Sequence, residues 1–304
     1  MKVLFKIISS CDQDCAFCSE KLFMRKKRPR LEMNEIIANF NYLDNLFTID
    51  SVILSGGEPV LHPEYFSILE FFSQRNTPLK IITNLFGFSD SNFLKKHTFY
   101  FKKNKNWLLY GSINSLPLRL NNSNILGLKN LLEHNIPVSI IAVVYKKNLN
   151  ELPELMRYLR YLSISFKTPL SLELRLLYVE EVDKHVIRQA PKGFKTLVDC
   201  FKECLWLLST SKINITLWNF PICYINKTYA NLNQNVEKRK NVEIIKIDKD
   251  NQLQYFKTRD FNSFFYKSPE CLLCKYYKNC SGINRRYINE FKFPKLKPII
   301  ENYV

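Results

Sequence analysis

Apolar positions along this chain alternate between two rhythms. A short β-prone run at residues 3–8 is followed by helical periodicity over 31–46, then by a buried strand at 51–54 that ends in two glycines. The same exchange continues with a helix opening at Pro63 and running to about residue 73, a strand at 79–82, a helix at 91–97 with Ser91 as its N-cap, and a strand at 107–113. Helices at 124–134, 151–162 and 193–208 and strands at 137–144 and 170–177 complete the series. Strands that alternate with helices predict parallel pairing through right-handed crossovers. The regular repeat, with no dinucleotide glycine fingerprint, favours an incomplete β/α barrel over an open doubly wound sheet. Beyond Thr210 the pattern changes to a strand at 213–220, a hairpin of 242–247 and 253–257 turning at 248–251, and a short helix at 284–291. The expected class is α/β: a partial (β/α)6 TIM-like barrel over residues 1–210 and a small α+β domain over 211–304.

Composition bounds this picture without changing it. Hydrophobic residues make up 46% and aromatics 14% of the 304 residues, enough for one large domain or a domain with an appendage. Only 7 glycines and no low-complexity tract argue against long disordered linkers. No apolar run reaches bilayer length, and Lys6 interrupts the apolar start, which no small-residue cleavage pattern follows. The 9 cysteines are odd in number and closely spaced in part, which favours reduced thiolates in the cytoplasm over a secreted disulfide framework. A net charge of +17 would raise the local concentration of acidic partners, although drift in a chain rich in Lys, Asn and Ile explains it equally well. The basic run 25–30 follows the first cysteines and reads either as a solvated loop or as a docking strip for an acidic peptide or a nucleic-acid phosphate.

The chemistry lies in two cysteine groups. Cys11, Cys15 and Cys18 are spaced C-x3-C-x2-C in the loop after the first strand, where β/α barrels carry their reactive residues. Three thiolates can hold three irons of a four-iron, four-sulfur cubane and leave the fourth iron open. The alternative is zinc, which would need a fourth ligand, and none of the 4 histidines adjoins the loop. His62 reads as a surface or helix-capping residue. The second group, Cys271, Cys274 and Cys280, is spaced C-x2-C-x5-C. Cys200 and Cys204 lie four apart on the last barrel helix and read as a packed, inert face, in reserve as ligands.

The first motif, with Phe17 just before its last cysteine, resembles the signature of radical SAM enzymes. The resemblance extends to Ser55-Gly56-Gly57-Glu58-Pro59, which matches the superfamily's GGEP motif at the end of the second strand. Thr83-Asn84, Ser112-Ile113-Asn114-Ser115, and Val143-Val144 followed by Asn148 continue it in order through the first two hundred residues or so. It implies a [4Fe–4S] cluster held by Cys11, Cys15 and Cys18, with S-adenosylmethionine chelating the fourth iron. Reductive cleavage would then give a 5′-deoxyadenosyl radical that abstracts hydrogen from substrate, the hard chemistry belonging to the cofactors. Gly56, Gly57, Glu58, Pro59, Asn84 and Ser112 are the implied S-adenosylmethionine contacts, the glycines by letting backbone approach the methionine ammonium. The sequence nominates no catalytic base.

Cys271, Cys274 and Cys280, followed by Gly282 and Tyr287, resemble the auxiliary-cluster segment of SPASM or twitch domains, with Cys223 as the implied fourth ligand. The pattern departs from full SPASM domains, which carry more cysteines and a second auxiliary cluster. A zinc site with the same four ligands is the alternative. Enzymes of this type most often modify ribosomally made peptides, here from a flavodoxin- or ferredoxin-type electron donor. With the first strand opening near Val3 there is no room for an N-terminal peptide-recognition domain, so recognition is expected to need a separate protein or the barrel itself. A small-molecule radical dehydrogenase or epimerase is the runner-up, RNA modification rests on charge alone, and an electron-transfer protein would have no need of the GGEP motif.

Overall fold

The computed structural model describes residues 1–18, 30–115, 123–179, 184–225, 243–248, 250–257, 264–278, 280 and 282–300. Most of the basic run, residues 25–29, lies outside them, as does position 249 of the hairpin turn. The chain forms two compact units, the first from Met1–Ser112, Pro117–Ser139 and Asn241–Lys257, the second from Ile113–Leu116, Ile140–Lys240 and Thr258–Val304.

In the first unit the strands are β1 (Lys2–Ile8), β2 (Ser51–Gly56), β3 (Leu79–Thr83) and β4 (Leu108–Ser112), with helices α1 (Met33–Leu46), α2 (Tyr65–Gln74), α3 (Ser91–Lys103) and α4 (Ser123–Glu133). Strands β1 to β4 pair side by side in chain order, all parallel. Strict alternation explains β1: Val3, Phe5 and Ile7 are fully buried, while Lys2, Leu4 and Lys6 on the other face are half-exposed. Helix α2 buries Ile68, Leu69 and Phe72 at helical spacing, and Phe72 stands near Phe5 of β1. The N-cap of α3 is Asp90, whose carboxylate accepts the Phe93 N–H at 2.7 Å, and Ser91 is the first helical residue. The expected Ser91 cap is therefore displaced by one position, because Asp90 already holds the extended backbone that a cap requires.

The late hairpin forms as expected from β8 (Glu243–Ile247) and β9 (Leu253–Lys257), antiparallel to each other. Its place differs from the sequence expectation. β8 pairs parallel with β1, Val3 opposite Ile245 and Phe5 opposite Ile247, and so covers the edge of β1 that β2 leaves open.

The second unit holds the body of β5 (Val138–Val144), α5 (Leu152–Ser165), β6 (Leu170–Leu176), α6 (Lys184–Gln189), α7 (Phe194–Leu208) and β7 (Asn214–Trp218), with β6 and β7 parallel. Cys200 and Cys204 are buried on α7, Cys200 a hydrogen-bonding neighbour of Cys204. Two short strands, β10 (Phe265–Tyr266) and β11 (Ile283–Asn284), pair antiparallel and lead into α8 (Arg285–Asn289). This last segment is fastened to the chain after β6, the Tyr287 hydroxyl donating to Leu177 O and Asn284 Nδ2 to Val179 O, each at 3.0 Å.

Candidate active site

The first cysteine loop leaves β1 at Ile8 and is stitched to the end of β2 by main-chain bonds. Gly57 N–H donates to Ile8 O at 2.7 Å and Glu58 N–H to Ser10 O at 2.8 Å. The two glycines are required by that seam. A β-carbon at Gly56, whose φ is +133°, would stand 2.2 Å from Ile8 O, and one at Gly57 2.1 Å from Ser10 O. The close approach they permit in this structure is to the chain just ahead of Cys11.

Glu58 ties the seam to the third strand. Its carboxylate accepts the Asn84 N–H at 2.6 Å and the Val60 N–H at 3.3 Å, and Thr83 also bonds it. Burial outweighs these donors and pushes the Glu58 carboxyl up to about 7. Pro59 opens a 3₁₀ turn, Pro59–Leu61, that Glu58 caps. Asn84 completes the frame: its side-chain oxygen accepts Phe86 N–H at 2.8 Å, and its Nδ2 donates to Asp12 Oδ1 and, at 3.9 Å, toward Cys11 Sγ. Thr83 is opposite Gly111 in the β3–β4 register, so Asn84 and Ser112 follow one position further along neighbouring strands. Ser112 is half-buried at the end of β4.

Cys11, Cys15 and Cys18 are all half-buried on one loop, where a turn closes with Cys18 N–H on Cys15 O at 3.1 Å. Gln13 N–H donates to Cys11 Sγ at 3.4 Å and the Cys15 thiol points to Gln13 Oε1 at 3.8 Å. Burial, with Glu58, Asp12 and Cys18 nearby, pushes the Cys11 thiol up against a modest pull from Gln13 N–H. Three thiols on one loop, with amide donors on Cys11 Sγ, form an all-sulfur donor set of the kind that fits an iron–sulfur centre. Asp12 and Gln13, which the sequence reading passed over, are part of this frame; their only sequence signal is their place between two cysteines.

His62 is buried, not on the surface. Glu64 N–H donates to its Nδ1 at 3.1 Å, so Nε2 carries the proton and donates to Leu31 O at 2.8 Å, tying the two segments together. Asn148, fully buried in the second unit, accepts Tyr145 N–H and donates to Val143 O and Asn114 O, while Asn114 Oδ1 accepts Val143 N–H. These two motif asparagines brace the chain after β5.

In the second unit Cys223, Cys271, Cys274 and Cys280 line one apolar pocket with Ile222 and Ile299. Burial and the other three sulfurs push the Cys223 thiol up to about 12, and burial also raises Cys280 despite Gly282 N–H and Lys267 nearby. Four thiols in one pocket repel one another once ionised, and a bound cationic centre relieves that. An all-sulfur set of this kind suits iron–sulfur or zinc chemistry. Among the described residues no three His, Cys, Asp or Glu converge tightly enough to hold a single metal ion.

The family model described as the Radical SAM superfamily matches residues 5–159, which takes in the cysteine loop, the Gly56-Gly57-Glu58-Pro59 seam, Asn84, Ser112 and Asn148. This chain belongs to the radical SAM superfamily. It is a radical SAM enzyme, and the family implies a [4Fe–4S] cluster and S-adenosylmethionine. Comparison with curated protein sequences gave no match. Among solved structures the fold is similar to Streptococcus suis SuiB bound to S-adenosylmethionine, with a TM-score of 0.63 at 15% identity over 97% of this chain and 74% of SuiB. SuiB bound to precursor peptide SuiA matches with a TM-score of 0.61 at 15% identity, over 97% of this chain and 73% of that one. Native anSMEcpe with bound AdoMet and Kp18Cys peptide matches with a TM-score of 0.60 at 14% identity, over 98% of this chain and 92% of that one. The α/β partial-barrel class expected of the sequence is thus the class of this radical SAM fold. No helix among the described residues is long and apolar enough to cross a membrane.

Proposed function

We propose that this radical SAM enzyme modifies a ribosomally synthesised peptide. In this reading residues 1–210 are the barrel and Cys11, Cys15 and Cys18 hold the [4Fe–4S] cluster, while residues 211–304, apart from the β8–β9 hairpin that joins β1, are a twitch- or SPASM-like domain in which Cys223, Cys271, Cys274 and Cys280 hold one auxiliary [4Fe–4S] cluster. When bound, the cluster and S-adenosylmethionine supply a 5′-deoxyadenosyl radical able to take a hydrogen atom from substrate. The protein's part is positional. Gly56, Gly57, Glu58 and Pro59 fix the cysteine loop against β2, and Asn84 and Ser112 offer polar contacts at the ends of β3 and β4. A flavodoxin- or ferredoxin-type donor would supply the electron, and a separate protein would deliver an acidic precursor. The observation that carries the peptide reading is the reach of the likeness to SuiB and anSMEcpe. It covers 97% and 98% of this chain, well past residue 159, and structures of both proteins hold a peptide.

Anaerobically reconstituted protein given dithionite and S-adenosylmethionine should release 5′-deoxyadenosine, and Cys15→Ala should release none. Iron should fall from about eight to about four per chain in a Cys271→Ala, Cys274→Ala variant. Co-expression with an acidic precursor peptide encoded beside the gene should change that peptide's mass. A neighbouring sugar or cyclitol that is dehydrogenated or epimerised while the peptide stays unchanged would transfer the reading to small molecules.

A further inference from the structure

The unused face of β6 and β7 carries a polar cluster that the motifs do not explain. Along β6, Leu170, Leu172, Leu174 and Leu176 are buried, so by alternation Ser171, Glu173 and Arg175 share the opposite face. On β7 Ile215 and Leu217 are buried and Thr216 and Trp218 share Arg175's side, with Glu173 opposite Thr216 and Arg175 opposite Trp218 in register. The Arg175 guanidinium lies 4.6 Å above the Trp218 ring centre, and Glu173 Oε2 accepts from Arg175 Nε at 2.9 Å and from Nη2.

Three polar groups in this cluster are left over. Trp218 Nε1 is buried without a hydrogen-bond partner, and Glu173 Oε1 and Arg175 Nη1 have none among the described residues. A buried indole N–H without an acceptor is costly. In a folded protein such a group is normally met by a partner, ordered water or ligand included. The Glu173 and Arg175 side chains are 14% and 30% exposed, so a small group can reach them. The cluster lies at the C-terminal end of β6, the end at which β/α barrels place their chemistry.

We infer that Glu173, Arg175 and Trp218 form a substrate subsite for a peptide amide. The class of ligand follows from the leftover valences. Trp218 N–H and Arg175 Nη1 want an acceptor, Glu173 Oε1 wants a donor, and one secondary amide offers both. The charges of Glu173 and Arg175 cancel, so an anion meets Glu173 and a cation meets Arg175, and neither gains from the site. The subsite therefore selects a neutral main-chain group, whatever the charge elsewhere on the substrate. This rests on the peptide reading above and specifies where the peptide backbone is gripped.

The test uses reconstituted protein labelled with 5-fluorotryptophan, whose 3 tryptophans give separate fluorine resonances, with Trp218→Phe assigning the one of interest. N-acetylglycine N-methylamide should shift the Trp218 resonance, with little dependence on salt, and sodium acetate, methylammonium chloride and glucose should not. Glu173→Gln should weaken the diamide about tenfold, the loss of one charge-assisted hydrogen bond. A shift with acetate or methylammonium would make this an ion site, and a shift with glucose a hydroxyl site; either overturns the inference, as does silence with every probe. 5′-Deoxyadenosine release is measured on the same protein. If it is absent the proposed function fails, and if it is present while Trp218 stays silent only the subsite fails.

Discussion

At Gly57 an added β-carbon would face two carbonyl oxygens, Ser10 O at 2.1 Å and Ser9 O at 2.5 Å, and backbone cannot swing aside as a side chain does. Gly57→Ala should therefore cost about 1–3 kcal/mol in chemical denaturation and lower the iron retained by the N-terminal loop. A second residue with a measurable signature is His97, wholly buried among Tyr65, Phe88 and Phe101, with Nε2 bonded to the Tyr65 hydroxyl at 2.9 Å. Burial holds its imidazole down to about 3, so the folded protein refuses a proton that the unfolded chain accepts near 6.5. The contribution is complete above that ordinary value and is lost as pH falls toward 3. His97→Gln keeps a partner for Tyr65 and does not titrate. Between pH 7 and about pH 5 it should lose about 2 kcal/mol less stability than the wild type in urea melts. Much of the site was legible at this scale, because cysteine spacing and a Gly-Gly-Glu-Pro run are local patterns. The glycines' close packing against the backbone of residues 8–10 was not, because only the fold brings that chain beside them. Glu173, Arg175 and Trp218 could not be read at all, since only the pairing of two distant strands joins them.

The elements were largely readable because each helix and strand has one face in the core, and periodicity reports that face directly. The ends were less so. Helix α3 runs on to Lys103, two turns beyond the expected end, since Thr98 and Phe101 continue its buried face. Its cap gives a clean comparison: Asp90→Ala should cost about 1 kcal/mol, and Ser91→Ala should stay within about 0.5 kcal/mol of wild type in thermal melts. Alternation also gave the hairpin at its correct strands but was silent on its neighbour. A strand's pattern states which face is apolar, not which edge will pair, so the union of β8 with β1 had no local signal.

For the molecule as a whole, that union makes the N-terminal site depend on residues far along the chain. Ile247 of β8 is fully buried opposite Phe5 of β1. Ile247→Asp should open β1, seen as faster amide exchange over residues 2–8, and should deplete the iron bound at the Cys11 loop while sparing that of the Cys223 pocket. β1 is also an edge strand for as long as Glu243–Ile247 has yet to be made. A nascent chain emerging from the ribosome carries its three leading cysteines on an unfinished ribbon, and pairing across so long a loop is slow. A cluster held at that loop, as proposed above, would then load late in translation or after release, when the returning strand has closed over the first one.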